Sequence, residues 1–245
     1  MTAQHLAAPA ELNEIQALDT RPPLSRAAQL AVAASLIAAG LLNGGTQFVG
    51  HLVIDDGSGD FSDQIRWGVE HPVFHGVEQF ALLASMLFLP VAVLGLAQVT
   101  RHRAPRLTAV GIVLTVWGFW GFHNVLALGY TAGTIAPSAL GVDAAVRLND
   151  AFMEDPGSVF GALVPHLLGS FLGLILLAAA GWRGRSLPRI PLVLLVAFLL
   201  WDFLLPPAGP LEAHLLLLIC FGWLGVHVAR MSWQEWSGTA ERGTY

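Results

Sequence analysis

Residues 70–99 read EHPVFHGVEQFALLASMLFLPVAVLGLAQV. Apart from His75 and Glu78, residues 73–99 carry no ionisable side chain, and about 20 apolar residues suffice to cross the hydrocarbon core of a bilayer. In a helix His71, His75 and Glu78 share one face, because they are four and three residues apart. The stretch therefore predicts a membrane-crossing helix with a polar face at its beginning.

The rest of the chain has the same apolar character. Of its 245 residues, 55% are hydrophobic and 12% are charged, against roughly a quarter charged in soluble globular proteins. Six segments are long and apolar enough to cross a bilayer: Ala27–Val49, Val73–Val99, Leu107–Ala132, Val159–Trp182, Ile190–Leu205 and Leu211–Met231. The sequence thus predicts an all-α, polytopic integral membrane protein, built as a bundle of six transmembrane helices.

The arginines predict the orientation. Ten of the twelve lie near the chain ends or in the connections after the second and fourth segments, whereas most acidic residues of the connections lie on the other side. Basic residues are enriched on the cytoplasmic side, which predicts a plasma-membrane protein with both termini cytoplasmic. The predicted parts are a polar cytoplasmic tail at 1–26, a transmembrane domain at 27–231 with outer loops at about 50–72 and 133–158, and a cytoplasmic tail at 232–245.

Charge and cysteine content exclude some classes of function. The net charge is −5 and there is no basic run, so we expect no nucleic-acid partner. Cys220 is the single cysteine, which rules out an intrachain disulfide and a cysteine-based zinc site.

Two connections and several glycines predict local structure. Residues 142–153 place apolar side chains on one helical face, which indicates a surface helix, either a lid over a pocket or a solvated connector. Residues 206–210, PPAGP, predict a tight turn, so that the fifth and sixth segments form a hairpin. Close helix packing is predicted at six glycines: Gly40, Gly44, Gly118, Gly121, Gly169 and Gly173.

Ionisable side chains inside apolar segments are costly and often functional. They are His75, Glu78, His123, His166, Asp202 and His214, with His51 and His71 at the boundary. At a rise of 1.5 Å per residue, all of them lie within roughly 15 Å of the outer surface. We therefore expect a polar pocket in the outer half of the membrane.

Imidazoles and carboxylates in such a pocket suit several kinds of chemistry. The predicted metal ligands are His75, His123, His166 and His214, and the predicted haem ligands are His71, His75 and His123. The predicted catalytic side chains are Glu78, Asp202 and Asn124. For each residue a packing role is the alternative, and for Asp202 it is a structural ion pair.

The residues from His71 to Pro90, the Arg-bearing loop after them and Gly121-Phe-His-Asn124 resemble part of a known family. They are similar to the second and third helices of the styrene oxide isomerase and hydroxylaminobenzene mutase family. These are small four-helix membrane enzymes, and the epoxide isomerase uses ferric haem b as a Lewis acid with an axial His on its second helix. The resemblance implies that His71 or His75 is axial, while Glu78 stands where the family has Asn. It covers roughly residues 36–181 and leaves the last two segments unaccounted for.

The predicted function is that of a membrane protein whose pocket of histidines and acids binds haem b or a transition-metal ion. It would act on a small apolar molecule that enters from the bilayer, by isomerase or redox chemistry. A proton-coupled small-molecule transporter and an accessory subunit of a membrane complex are the alternatives. The predicted partners are the lipid bilayer, the apolar substrate and further copies of the chain in a homo-oligomer.

Overall fold

The computed structural model describes residues 25–53, 61–205 and 212–238. Over these ranges the chain is helical and contains no β-strand. The helices are α1 (Arg26–Val53), α2 (Phe61–Glu70), α3 (Pro72–Thr100), α4 (Pro105–Leu140), α5 (Val142–Glu154), α6 (Pro156–Gly184), α7 (Arg189–Leu204), α8 (His214–Arg230) and α9 (Trp233–Ser237). The predicted turn at 206–210, nearly all of the tail at 1–26 and about half of the tail at 232–245 lie outside the described residues.

Four of the described helices are long and apolar enough to cross a membrane. They are α1, α3, α4 and α6, with 28 to 36 residues each. The fifth and sixth predicted segments form the shorter helices α7 and α8, of 16 and 17 residues. Helix α4 continues to Leu140, past the predicted end at Ala132, because the chain passes through Gly133 in a π-helical turn, Thr131–Ile135, and stays helical. The all-helical prediction is therefore confirmed over the described residues.

Prolines and short polar side chains determine where the long helices begin. Pro72, Pro105 and Pro156 stand at the first turns of α3, α4 and α6, where the missing N–H group costs no intrahelical hydrogen bond. The Asp155 carboxylate accepts a hydrogen bond from the Ser158 N–H at 2.7 Å. This cap satisfies one of the free donors at the start of α6.

The six longest apolar helices pack as a closed ring in chain order. Helix α1 contacts α3, and the contacts continue from α3 to α4, α6, α7 and α8, which returns to α1. Leu36, Val93, Leu199, Phe221 and Leu224 fill the interior and are almost completely buried. Because the ring closes, side chains from the beginning and the end of the sequence can line the same cavity.

Glycines permit the closest approaches between these helices. A Cβ atom on Gly118 of α4 would lie 2.1 Å from the backbone N of Ser170 in α6. One on Gly44 of α1 would lie 2.8 Å from the carbonyl oxygen of His214 in α8. No side chain fits at either distance, so the close packing predicted at these positions is confirmed.

Helices α2 and α5 pack together at one end of the ring. Ile65 of α2 and Ala145 of α5 are buried against Ala136 of α4. The predicted surface helix is thus present as α5. It lies against α2, the end of α4 and the start of α6, where it forms part of a cap.

Candidate metal centre

A cavity of about 140 Å³ lies inside the ring. All six helices of the ring contribute to its wall. The polar side chains are Asn43, Gln47, His166, Ser170, Asp202 and His214. The apolar side chains are Leu89, Phe119, Phe122, Leu174, Phe198, Leu199, Phe203, Leu217 and Phe221. Small-molecule sites in proteins commonly have such a wall, with a few polar groups among apolar and aromatic side chains.

Two carboxylates and one imidazole meet beside this cavity, and two of these groups, Asp202 and His214, belong to its wall. Glu212 Oε1 forms a short hydrogen bond with His214 Nδ1, and Asp202 Oδ1 lies 3.8 Å from the same nitrogen. One ligand atom from each of the three residues lies within 4.8 Å of the others. The side chains of His214 and Glu212 are 11% and 14% exposed, whereas that of Asp202 is 29% exposed. Hence two of the three groups are well shielded from solvent and the third lies nearer the surface.

The ends of two neighbouring helices bring these groups together. Asp202 lies in the last turn of α7, and Glu212 and His214 lie at the start of α8, which packs beside α7. Glu212 Oε2 accepts a hydrogen bond from the His214 backbone N–H at 2.7 Å. Glu212 therefore accepts a hydrogen bond from the first backbone N–H of α8 with one oxygen and places the other at the imidazole. The His214 ring packs edge-on against Phe198, with centroids 5.2 Å apart.

These three side chains match the preferences of a divalent transition-metal ion. Imidazole nitrogen and carboxylate oxygen are ligands for zinc, iron and manganese. Two carboxylates balance the charge of a divalent ion, which lowers the cost of holding it in a poorly hydrated interior. Ligand atoms about 2.0–2.2 Å from an ion lie roughly 3 Å from one another, so small side-chain rotations would convert the present arrangement into a coordination sphere.

A second histidine reaches the cavity from α6. His166 stacks on Phe122 with ring centroids 4.6 Å apart, and its Nδ1 lies 3.4 Å from Ser170 Oγ. Both His166 and Ser170 belong to a π-helical segment, Pro165–Ser170. Wider turns of this kind often occur at functional sites.

The amide side chains of α1 form a separate part of the wall. Gln47 Nε2 donates to Asn43 Oδ1 at 3.1 Å, and Asn43 Nδ2 donates to Ser85 Oγ at 3.5 Å. Asn43 also lies in a π-helical segment, Gly40–Gly45. Irregular helix thus presents polar side chains to the cavity from two sides.

His75 and Glu78 form a different cluster, near the cap. His75 Nδ1 lies 3.7 Å from Glu78 Oε2, and both side chains are 12% exposed. A Cβ atom on Gly68 would lie 3.0 Å from the His75 ring, and one on Gly50 would meet the Glu78 carboxylate. These glycines leave room for the pair, which does not line the cavity with Asp202 and His214.

The remaining predicted site residues lie apart from both clusters. His71 is exposed at the start of α3, where its ring stacks on Trp67 with centroids 4.5 Å apart. His123 is exposed on α4, and its neighbour Asn124 is partly buried. Of the predicted metal ligands and catalytic groups, the structure therefore places His166, Asp202 and His214 at one cavity and pairs His75 with Glu78 elsewhere.

Four polar residues of the cavity or metal centre were not predicted as site residues: Asn43, Gln47, Ser170 and Glu212. Two signals were present in the sequence. Asn43 and Gln47 are polar residues four positions apart within an apolar segment. Glu212 precedes His214 by two positions and follows a predicted turn, a position that also suits a solvated residue.

Comparison with known proteins gives no relative from which a role could be transferred. The sequence matches no family model, and no match is found among curated proteins or solved structures. The resemblance to the styrene oxide isomerase family therefore stays an expectation from short motifs.

Proposed function

We propose that the protein crosses the plasma membrane six times, with both termini in the cytoplasm. Helices α7 and α8 rise about 24–26 Å at 1.5 Å per residue, close to the roughly 30 Å of the hydrocarbon core. They complete a ring whose other members, α1, α3, α4 and α6, are long enough to span it. The Arg-rich connections after α3 and α6 would face the cytoplasm, and the cap of α2 and α5 would face outward.

Within this framework we propose that Asp202, Glu212 and His214 hold a divalent transition-metal ion and present it to a small apolar molecule. The observation that supports this proposal is the convergence of their ligand atoms within 4.8 Å at an aromatic-walled cavity. These three side chains would hold the ion and leave room for a substrate oxygen, which the ion would polarise as a Lewis acid, and iron or manganese would in addition supply redox chemistry there. Isomerisation and redox conversion are therefore the reaction classes to assay.

The size of the cavity favours an ion over haem. A volume of about 140 Å³ is less than half of the lower limit of about 300 Å³ for pockets that hold drug-sized ligands. The histidines predicted as haem ligands, His71, His75 and His123, do not line this cavity. We therefore expect a substrate of few atoms, held by contacts with phenylalanine rings while His166 remains available for proton transfer.

Metal content tests this proposal directly. Detergent-purified protein is stripped with a chelator, reloaded separately with Zn²⁺, Fe²⁺, Mn²⁺ or Co²⁺, and analysed for bound metal. We expect about one ion per chain, and more than about tenfold weaker binding in His214→Ala and Glu212→Gln. His123→Ala is the matched control, because it removes an exposed histidine outside the cavity and should bind as the unaltered protein does.

Three results would contradict the metal centre. If the protein retains none of the added ions after reloading, His214 is only an imidazole held between two carboxylates by hydrogen bonding and charge. Unchanged binding in the His214 variant would place the ion elsewhere. A Soret band in the absorption spectrum of the purified protein would instead support the haem prediction.

A further inference from the structure

A second cavity lies on the outer surface of the ring, between α6 and α7. It has a volume of about 400 Å³ and is lined by apolar side chains. Ile175, Ala178 and Trp182 of α6 face Leu192, Val196 and Leu200 of α7 across it. The groove extends over about two helical turns, roughly 10 Å. Its small alanine side chains leave a depression wide enough for a hydrocarbon chain.

One end of this groove is basic. The guanidinium carbon of Arg189 lies 5.2 Å from the centre of the Trp182 ring, in a cation–π arrangement. Arg183, in the last turn of α6, and Arg185, directly after it, are both exposed. The indole of Trp182 thus ends the apolar wall of the groove and also holds the Arg189 guanidinium by a cation–π contact.

We propose that this groove binds one acyl chain of an anionic phospholipid, with the lipid phosphate at Arg189. An Arg guanidinium binds phosphate through two parallel hydrogen bonds, and the groove begins directly beside that Arg. The basic end lies on the side assigned to the cytoplasm, where the membrane leaflet is rich in anionic lipid. This lipid site depends on the proposed membrane placement but not on the metal centre.

Charge argues against a second copy of the chain as the occupant. In a symmetric pair related by a twofold axis along the membrane normal, the same surface of each copy forms the interface. The basic ends of two grooves would then lie together, and like charges brought together at an interface are repulsive. An anionic lipid complements the same surface.

The test is lipid binding by the full-length protein, measured by native mass spectrometry from detergent. Phosphatidylglycerol and phosphatidylcholine with identical acyl chains are the probes. We expect the unaltered protein to bind phosphatidylglycerol at least about fivefold more tightly, and Arg189→Gln to lose about fivefold of that preference. Arg66→Gln is the control, because Arg66 is exposed at the opposite end, on α2, and should leave the preference unchanged.

A second variant tests the groove itself. Ala179 also lines it, and Ala179→Trp should fill it and weaken both lipids equally, with the protein remaining monodisperse. Equal binding of the two lipids by the unaltered protein, or an unchanged preference in Arg189→Gln, would overturn the proposal. So would concentration-dependent dimers that lipid does not dissociate, since the groove would then be an interface between copies.

Discussion

Replacing Gly118 by Ala tests how closely α4 and α6 must approach. The added Cβ atom would lie 2.1 Å from Ser170 N and 2.5 Å from the carbonyl carbon of Gly169. Ordinary van der Waals contact begins at 3.4 Å, so the helices must separate by about 3.4 − 2.1 = 1.3 Å. Both obstructing atoms belong to the backbone, and no side-chain rotation can relieve the overlap.

The expected destabilisation follows from two opposing terms. Overpacking of an interior costs about 1–3 kcal/mol, and a clash with backbone places Gly118→Ala near the upper end. Exchanging Gly for Ala within a helix stabilises it by up to about 1 kcal/mol. The net loss is therefore about 2 kcal/mol, which for a chain of this length lowers the melting temperature by about 4–8 °C.

Thermal unfolding in detergent, followed by tryptophan fluorescence at one scan rate, measures this change. Gly129→Ala is the matched control. Gly129 lies in the same helix, but its added Cβ atom would have no neighbour within 4 Å, so its melting temperature should stay equal or rise. Equal shifts in the two variants, or stabilisation by Gly118→Ala, would refute the close approach of α4 and α6 at this point.

Two further predictions concern the end of the ring at which α1 begins and α8 ends. Gln29 is fully buried and its Nε2 donates to the carbonyl oxygens of Val228 at 2.7 Å and Met231 at 3.0 Å; Gln29→Leu should therefore cost about 1–3 kcal/mol, measured by the same thermal assay. Hydrogen bonds from the Ser232 backbone N–H and hydroxyl hold the pKa of Glu235 below its ordinary value of 4.5. The stability that Glu235 adds to α9 is thus present above that pH and is lost as pH falls through the lowered pKa. Ser232→Ala removes the hydroxyl but keeps the backbone N–H, which is the larger cause of the lowered pKa. This variant should therefore weaken the pH dependence without abolishing it, read as hydrogen exchange of α9 amides.

The sequence predicts the helices well because hydropathy is a local property of the chain. The apolar segments recur as helices, most of them within a few residues of the predicted ends. Pro72 and Pro105 stand in the first turns of α3 and α4, where proline is common. The helix at 142–153 was also predictable, since its polar and apolar residues alternate with a helical period. The exception is α4, which continues beyond Ala132 through a π-helical turn. No pattern of residues in the sequence predicts this turn.

The side of its helix on which a histidine lies could not be predicted in the same way. Helix α4 is apolar on all sides and has no polar stripe. Its sequence pattern therefore does not indicate whether His123 faces the interior or the outside of the ring. His166 lies in a π-helical segment, and each extra residue in a turn rotates the following side chains by about 100°. The structure places His123 outside and His166 at the cavity, although each is a single histidine in an apolar segment.

Contacts between helices that are distant in sequence are the other part that the sequence does not supply. Asp202, Glu212 and His214 meet because α7 and α8 are neighbours, as the predicted hairpin of these two segments implies. Asn43 and Gln47 reach the same cavity because Gly44 allows α1 to approach the backbone of His214. The site is a consequence of ring closure, which depends on packing of all six helices.

The double use of Glu212 makes its two roles separable. Oε2 accepts a hydrogen bond from the first backbone N–H of α8, whereas Oε1 faces His214 Nδ1. Glu212→Gln keeps an oxygen that can accept the backbone N–H but removes the negative charge that balances an ion. Glu212→Ala removes both, and loss of this hydrogen bond costs about 1 kcal/mol. We therefore expect both variants to bind metal weakly, but only Glu212→Ala to lower the thermal stability of the metal-free protein. This pattern would show that one carboxylate serves the fold and the metal centre through different oxygens.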